Sequence, residues 1–224
     1  MPYRGVFFDV DGTLLGQRPE PELFYLQVCQ EYGLDCAAEK LARSRVVAME
    51  FVEQHGLDYG DDERAMWRAA NREVFLHLGA GERAAECAAR FQTLFYQETE
   101  QYLFPDVLPA LQGLHARGYE LGALTGRLYS NESTLIDLGI RPYFAFYLYA
   151  GELGVQKPDP RMYRGALARA GLPAEAVVLV GDQPADVEGA RSVGMTPVLI
   201  VRGEAAAAGD VRQVNDLREL LTWL

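Results

Sequence analysis

An unbroken apolar run, Val6-Phe7-Phe8, stops at two carboxylates flanking one valine, Asp9-Val10-Asp11, and Gly12 then lets the chain turn. The pattern predicts a buried strand that delivers polar groups at its end. Beyond Leu15 the period changes. Segments over 21–32, 37–54, 63–78 and 82–101 carry apolar residues three and four positions apart, among them Leu23, Leu26, Val46, Met49, Phe75, Leu78, Phe91 and Phe95. They predict helices. No strand is predicted between Leu15 and Leu103, so residues 16–103 read as an all-helical insert. From 104 onward the pattern alternates. Helices are predicted over 107–117, 131–138, 160–170, 186–193 and 215–223, and strands over 120–125, 144–149, 177–180 and 197–201, with Gly118, Gly171 and Gly194 marking helix ends. Near-continuous apolar strands between helices predict a parallel sheet covered on both faces. The fold class is therefore α/β, with a Rossmann-like three-layer core built from residues 1–15 and 104–224. Ligands of such sheets bind beyond the carboxyl ends of the strands, where Asp9 and Asp11 fall. The sequence has no internal repeat, and the alanine run at 205–208 is its one low-complexity patch.

Composition narrows the function classes. At 224 residues, 49% hydrophobic and 24% charged, the chain has the make-up of a soluble globular domain large enough for a core and an insert. A net charge of −11 argues against nucleic-acid or anionic-membrane surfaces, whose binding rests on basic patches. The three cysteines, Cys29, Cys36 and Cys87, form no C-x-x-C pair and read as reduced core thiols. With no leader-like basic segment and no run of transmembrane length, the expected location is cytoplasmic. His55, His77 and His115 are scattered and read as surface or packing residues. Only Lys40 and Lys157 are lysines among 21 basic residues, so a lysine here invites a reason.

In an extended strand, residues i and i+2 point to one side, so Asp9 and Asp11 are expected to project together. Two carboxylates that close are tolerated when one is protonated or when a cation joins them, and a hard divalent ion, magnesium above all, suits oxygen ligands. A solvated Asp-x-Asp-Gly turn is the plainer alternative. A calcium loop fits poorly, because it needs glycine where Leu14 stands. Three further strand ends or loops carry polar residues: Thr125-Gly126, Lys157-Pro158 and Gly181-Asp182, with Asp186 four positions on. Each alone reads equally as a cap, a loop charge or a turn. Their joint occurrence at one edge of the sheet points to a site.

Taken in order, Asp9-x-Asp11-Gly12-Thr13, Thr125, Lys157-Pro158 and Gly181-Asp182-x-x-x-Asp186 resemble the motifs of the haloacid dehalogenase superfamily of hydrolases. The helical insert stands where that family carries its C1-type cap. The resemblance implies a phosphatase that forms an aspartyl-phosphate on Asp9, with Asp11 as acid and base. It also implies Mg2+ held by Asp9, the Asp11 backbone carbonyl and Asp182, with Asp186 supporting the metal, so that the metal set is Asp9, Asp11, Asp182 and Asp186. Thr125 and the Gly126 amide would hold phosphate oxygens, and Lys157 would stabilise charge on Asp9 and on the transferring group. The implied partner is a small phosphorylated metabolite. Two departures stand out. Gly126-Arg127 replaces the asparagine that often follows the second-motif hydroxyl, which turns attention to Asn131, and three rather than four residues separate Asp182 from Asp186. A phosphomutase and a 2-haloacid dehalogenase are rival enzymes on the same fold, although the latter works without metal and lacks the carboxylate at Asp11. A catalytically idle magnesium-binding module is a rival from another class, but neither nucleophile nor lysine is missing. Specificity residues are sought on the insert, among Gln17, Arg18, Arg45, Trp67 and Arg68.

Overall fold

The strand expected around Val6 forms as β1 (Gly5–Asp9), buried along its whole length. It lies inside a sheet whose faces are both covered, which is why its sequence shows no alternation. The computed structural model describes residues 3–60, 62–202 and 210–224, so the alanine run at 205–208 lies outside the described residues. After β1 come β2 (Leu15–Arg18), α1 (Pro21–Tyr32), α2 (Ala38–His55), α3 (Glu63–His77), α4 (Ala84–Glu98) and β3 (Glu100–Leu103). The second half runs α5 (Val107–Ala116), β4 (Glu120–Thr125), α6 (Glu132–Asp137), β5 (Phe146–Tyr149), α7 (Ala150–Leu153), α8 (Pro160–Ala170), β6 (Val177–Gly181), α9 (Pro184–Val193), β7 (Thr196–Ile200), β8 (Arg212–Val214) and α10 (Leu220–Trp223). Contacts divide the chain into two units, Met1–Gly16 with Tyr102–Leu224, and Gln17–Gln101.

The first unit carries the predicted α/β core. Its six strands pair in the order β5-β4-β1-β6-β7-β8, every pair parallel. After β1 the chain builds outward through β4 and β5, then returns to the other side of β1 for β6, β7 and β8. The order reverses at β1, and a crevice opens at the carboxyl edge where such a reversal occurs. Register decides what meets there. Asp9 lies opposite Leu124, and Phe8 opposite Val180, so Thr125 and Gly181 each sit one residue beyond those partners.

Two expectations fail locally. The insert is not reached without strands: β2 and β3 pair as a two-stranded sheet. Each is four residues long, Leu-Gly-Gln-Arg and Glu-Gln-Tyr-Leu, too short and too polar to show a period of two. The edge strand β8 was likewise not expected, because only Val214 of its three residues is buried. The strand expected over 144–149 begins at Phe146 after a short 3-10 turn at Arg141–Tyr143, the helix expected over 215–223 shrinks to α10 after a 3-10 turn at Leu217–Glu219, and α7 was not expected.

A buried ion pair fixes the loop after β1. Asp106, 4% exposed, accepts from Arg202 Nη1 at 2.8 Å and from the Leu217 amide at 2.6 Å, while Arg202 Nη2 donates to the Thr13 carbonyl at 2.6 Å. Removing one partner strands the other charge in a low-dielectric setting. Arg202→Met is expected to lower stability by about 3 kcal/mol, read from urea unfolding midpoints.

In the helical unit, Tyr25 stacks on Phe91 at 4.2 Å, and Phe24, Phe75 and Phe95 meet this pair edge-on or stacked. Tyr25 also donates to Asn71 Oδ1, which places its one polar atom in a partnered position. The apolar period thus marks two faces: Phe75, Leu78 and Phe91 are buried, whereas Leu23, Leu26, Val46 and Met49 are about half exposed. The three cysteines gather in this unit. Burial, and then the neighbouring Cys36, pushes the Cys29 thiol up to about 12, and burial raises Cys87 as well. Only Cys36 is partly exposed. Native protein at pH 8 is therefore expected to take up one iodoacetamide, at Cys36, and three only once unfolded, which intact mass spectrometry counts. Among the described residues no helix is long and apolar enough to cross a membrane.

Candidate active site

The polar ends of β1, β4 and β6 meet the loop before α8 at the carboxyl edge of the sheet. Lys157 stands two residues ahead of Asp159, whose side chain caps α8 by accepting from the Arg161 amide at 2.8 Å. From there its ammonium reaches into the sheet edge and donates to Asp9 Oδ1 at 2.5 Å, Asp186 Oδ1 at 2.7 Å and the Leu124 carbonyl at 3.2 Å. All three ammonium protons are used. With the side chain only 10% exposed, burial alone would lower its pKa, but the Asp186 and Asp9 carboxylates prevail and raise it.

Asp186 owes its position to the short spacing after Asp182. It falls in the first turn of α9, where its Oδ2 accepts from the Gln183 amide at 3.2 Å while Gln183 caps in return. Side-chain packing here requires glycine at 181: a Cβ there would lie 2.3 Å from Asp186 Cγ. Gly12 is required twice over. Its φ of +82° belongs to the left-handed region, and a Cβ would stand 2.3 Å from Asp182 Oδ2.

Asp9, Asp182 and Asp186 present one carboxylate oxygen each within 4.8 Å of one another. Three carboxylates and one ammonium leave a net charge of −2. Burial, against the pull of Lys157, raises the Asp9 pKa well above its ordinary value, and the charges of Asp186 and Asp182 add to the rise. Asp182 is raised as well, by burial first, against the hydrogen bond from Gln183 Nε2. Two buried oxygens, Asp9 Oδ2 and Asp182 Oδ1, have no hydrogen-bond partner. A hard divalent cation fits this set on three counts: oxygen donors only, a matching charge, and orphaned oxygens that need an electropositive neighbour.

Asp11 is not one of the three carboxylates gathered there. Its Oδ2 accepts from Arg127 Nε at 2.8 Å and from Thr125 Oγ1 at 3.3 Å, and its Oδ1 from Arg127 Nη2 at 2.6 Å. The chain turns directly after β1: the amides of Leu14 and Leu15 both bond the Val10 carbonyl at 2.9 Å, which carries Asp11 off the strand path. Like-charge crowding on Asp9 therefore comes from Asp182 and Asp186. Arg127 is the site-edge residue that sequence reasoning missed; its signal was the departure Gly126-Arg127 itself. Asn131 accepts from the Tyr147 hydroxyl at 2.5 Å through its Oδ1. Gly126 lies beside Lys157, where a Cβ would sit 4.0 Å from Lys157 Cδ. Of the residues sought for specificity, Arg18 pairs with Glu100 and Arg68 with Gln92, and the Arg45 side chain lies outside the described residues.

The chain is similar to known proteins over most of its length. It is 38% identical over 174 residues to a phosphoserine phosphatase of Thermus thermophilus, covering 72% of this chain and 68% of that one. It is 32% identical over 211 residues to a glyceraldehyde 3-phosphate phosphatase of Methanopyrus kandleri, covering 90% and 85%. Among solved structures, one described as a dehalogenase superposes with a TM-score of 0.71 at 24% identity, covering 99% and 97%, a likeness of fold alone. Residues 3–194 match the haloacid dehalogenase-like hydrolase family, and the protein belongs to that family.

Proposed function

We propose that the protein is a magnesium-dependent phosphatase that hydrolyses a small phosphomonoester through an aspartyl-phosphate on Asp9. The observation that carries this reading is Lys157 bridging Asp9 and Asp186 inside a carboxylate group that includes Asp182. The relatives that support it are phosphatases of small metabolites by name. The Asp9 carboxylate attacks phosphorus, and an acyl phosphate bond forms as the bond from phosphorus to the leaving oxygen breaks. Asp11 gives that oxygen its proton, then takes one from the water that attacks phosphorus, returning Asp9 and releasing inorganic phosphate. Lys157 holds Asp9 in place and faces the charge that develops on the transferring group, and the Thr125 hydroxyl and Gly126 amide hold phosphate oxygens. A compact ammonium suits the buried three-acceptor seat better than a planar guanidinium.

Magnesium would be held by Asp9, Asp182 and the Asp11 backbone carbonyl, and when bound would neutralise carboxylates and phosphate together. Asp186, whose two oxygens accept from Lys157 and the Gln183 amide, would support this shell rather than lead it. Residues 16–103 would serve as the cap that the family resemblance implies, selecting for small metabolites. Asp11 and the cation-suited carboxylates favour this chemistry over dehalogenation.

The test is phosphate release from p-nitrophenyl phosphate with and without magnesium, followed by phosphoserine, phosphoglycolate, sugar phosphates and nucleotides. No release from any of them discards the reading. Magnesium at about a hundred times its dissociation constant is expected to stabilise the fold by about 2.7 kcal/mol. Asp182→Asn should remove most of the corresponding rise in melting temperature, as read by scanning fluorimetry.

A further inference from the structure

Arg127 has no task in the scheme above, yet it makes the strongest contact to Asp11. It lies in the loop leaving β4, anchored where the Gly151 amide donates to the Arg127 carbonyl at 3.2 Å. Gly151 permits that approach, since a Cβ there would lie 1.8 Å from the Leu128 carbonyl oxygen. The Arg127 amide itself donates to Thr125 Oγ1 at 3.2 Å. Its guanidinium therefore works from the same loop that carries the proposed phosphate-holding groups.

The fork meets both Asp11 oxygens, at 2.6 and 2.8 Å, and Thr125 adds a third donor. Both carboxylate oxygens thus face donors. A carboxyl group that hands a proton to a leaving oxygen needs one of its oxygens turned toward that oxygen and clear of an N–H. Arg127 must release Asp11 before Asp11 can act. A phosphoryl dianion offers the same fork two or more oxygens and a larger charge than a carboxylate.

We infer that Arg127 is a substrate-binding and positioning residue whose guanidinium exchanges the Asp11 carboxylate for phosphoryl oxygens of the incoming phosphomonoester dianion. Arrival of substrate then places a second cation on the phosphate and frees Asp11 in one movement. The inference rests on the phosphatase reading for its substrate, but its phosphate contact can be measured without turnover.

The experiment compares the native chain with Arg127→Gln, Arg127→Ala and Arg127→Lys. It measures KM and kcat for p-nitrophenyl phosphate, calorimetric binding of inorganic phosphate in the presence of magnesium, and melting temperature. Loss of a charged fork is expected to raise KM and the phosphate dissociation constant together by about 10- to 100-fold in the Gln and Ala variants, with melting temperatures little changed. Lys, which keeps the charge without the fork, should recover part of both. A folded Gln or Ala variant with native KM and native phosphate binding overturns the inference, even where kcat falls. A fall in kcat and melting temperature alone would mark a merely structural loop residue. If the native chain hydrolyses no phosphomonoester, the phosphatase reading fails separately, and calorimetry still decides whether Arg127 meets phosphate.

Discussion

Asp9→Asn is expected to cut phosphate release by at least about 10^4-fold while leaving the chain folded. The amide cannot form the acyl phosphate, so no other group at the site replaces it. Its effect on stability should run the other way. Burial, opposed by Lys157, raises the Asp9 pKa, which means the fold favours the protonated form. The stability tied to this group is then fullest at low pH and is lost as pH rises through the raised value. At neutral pH without metal the carboxylate is a liability. Asparagine removes it, and Lys157 keeps Asp186 and the Leu124 carbonyl as partners. In the presence of EDTA at pH 7 the variant should melt at or above the native temperature, and magnesium should raise it less. Turnover within tenfold of native would sink the nucleophile assignment.

Lys157→Met should cost both activity and stability. The substitution keeps an apolar stem of similar length but takes one positive charge from three carboxylates, two of them buried, moving the formal sum from −2 to −3. Breaking a buried pair in this way costs about 3–5 kcal/mol. For a chain of this size that corresponds to a fall of about 10 °C in melting temperature. Phosphate release should fall by at least about 10^2- to 10^3-fold, the scale for losing one preorganised donor to a developing charge. Lys157→Arg is expected to recover little activity, because a planar fork does not fit a seat shaped for three acceptors around one nitrogen. A Met variant that melts with the native chain would show that the ammonium does not balance the carboxylates.

Much of the core was legible because its signals are local. An apolar run ending in Asp9, another ending in Thr125 and a third in Gly181-Asp182 each announce a buried parallel strand with a polar tip, and pairing in parallel register then brings those tips together. Lys157 could be singled out by its rarity in an arginine-rich chain. What stayed hidden depends on partners far apart in the sequence. Arg202 meets Asp106 across 96 positions, and neither residue stands out among its neighbours. Arg127 looked like a missing asparagine, and its grip on Asp11 follows from the turn that carries Asp11 off the strand. The same turn leaves Asp11 outside the group formed by Asp9, Asp182 and Asp186. Short strands such as β2, β3 and β8 leave no periodicity to read, and an apolar period cannot tell a core face from an exposed one, as Leu23 and Val46 show.

The pairing of β2 with β3 has a bearing on how this architecture can be re-engineered. The Phe104 amide bonds the Leu14 carbonyl at 3.2 Å, so the backbone departs and returns at neighbouring points on the α/β unit. A segment grafted between those points closes onto ends that are already adjacent, and lengthening it costs only about 0.6 kcal/mol for each doubling. The insert can thus be exchanged as a cassette while the carboxylates and their ammonium stay on a framework built entirely from other residues.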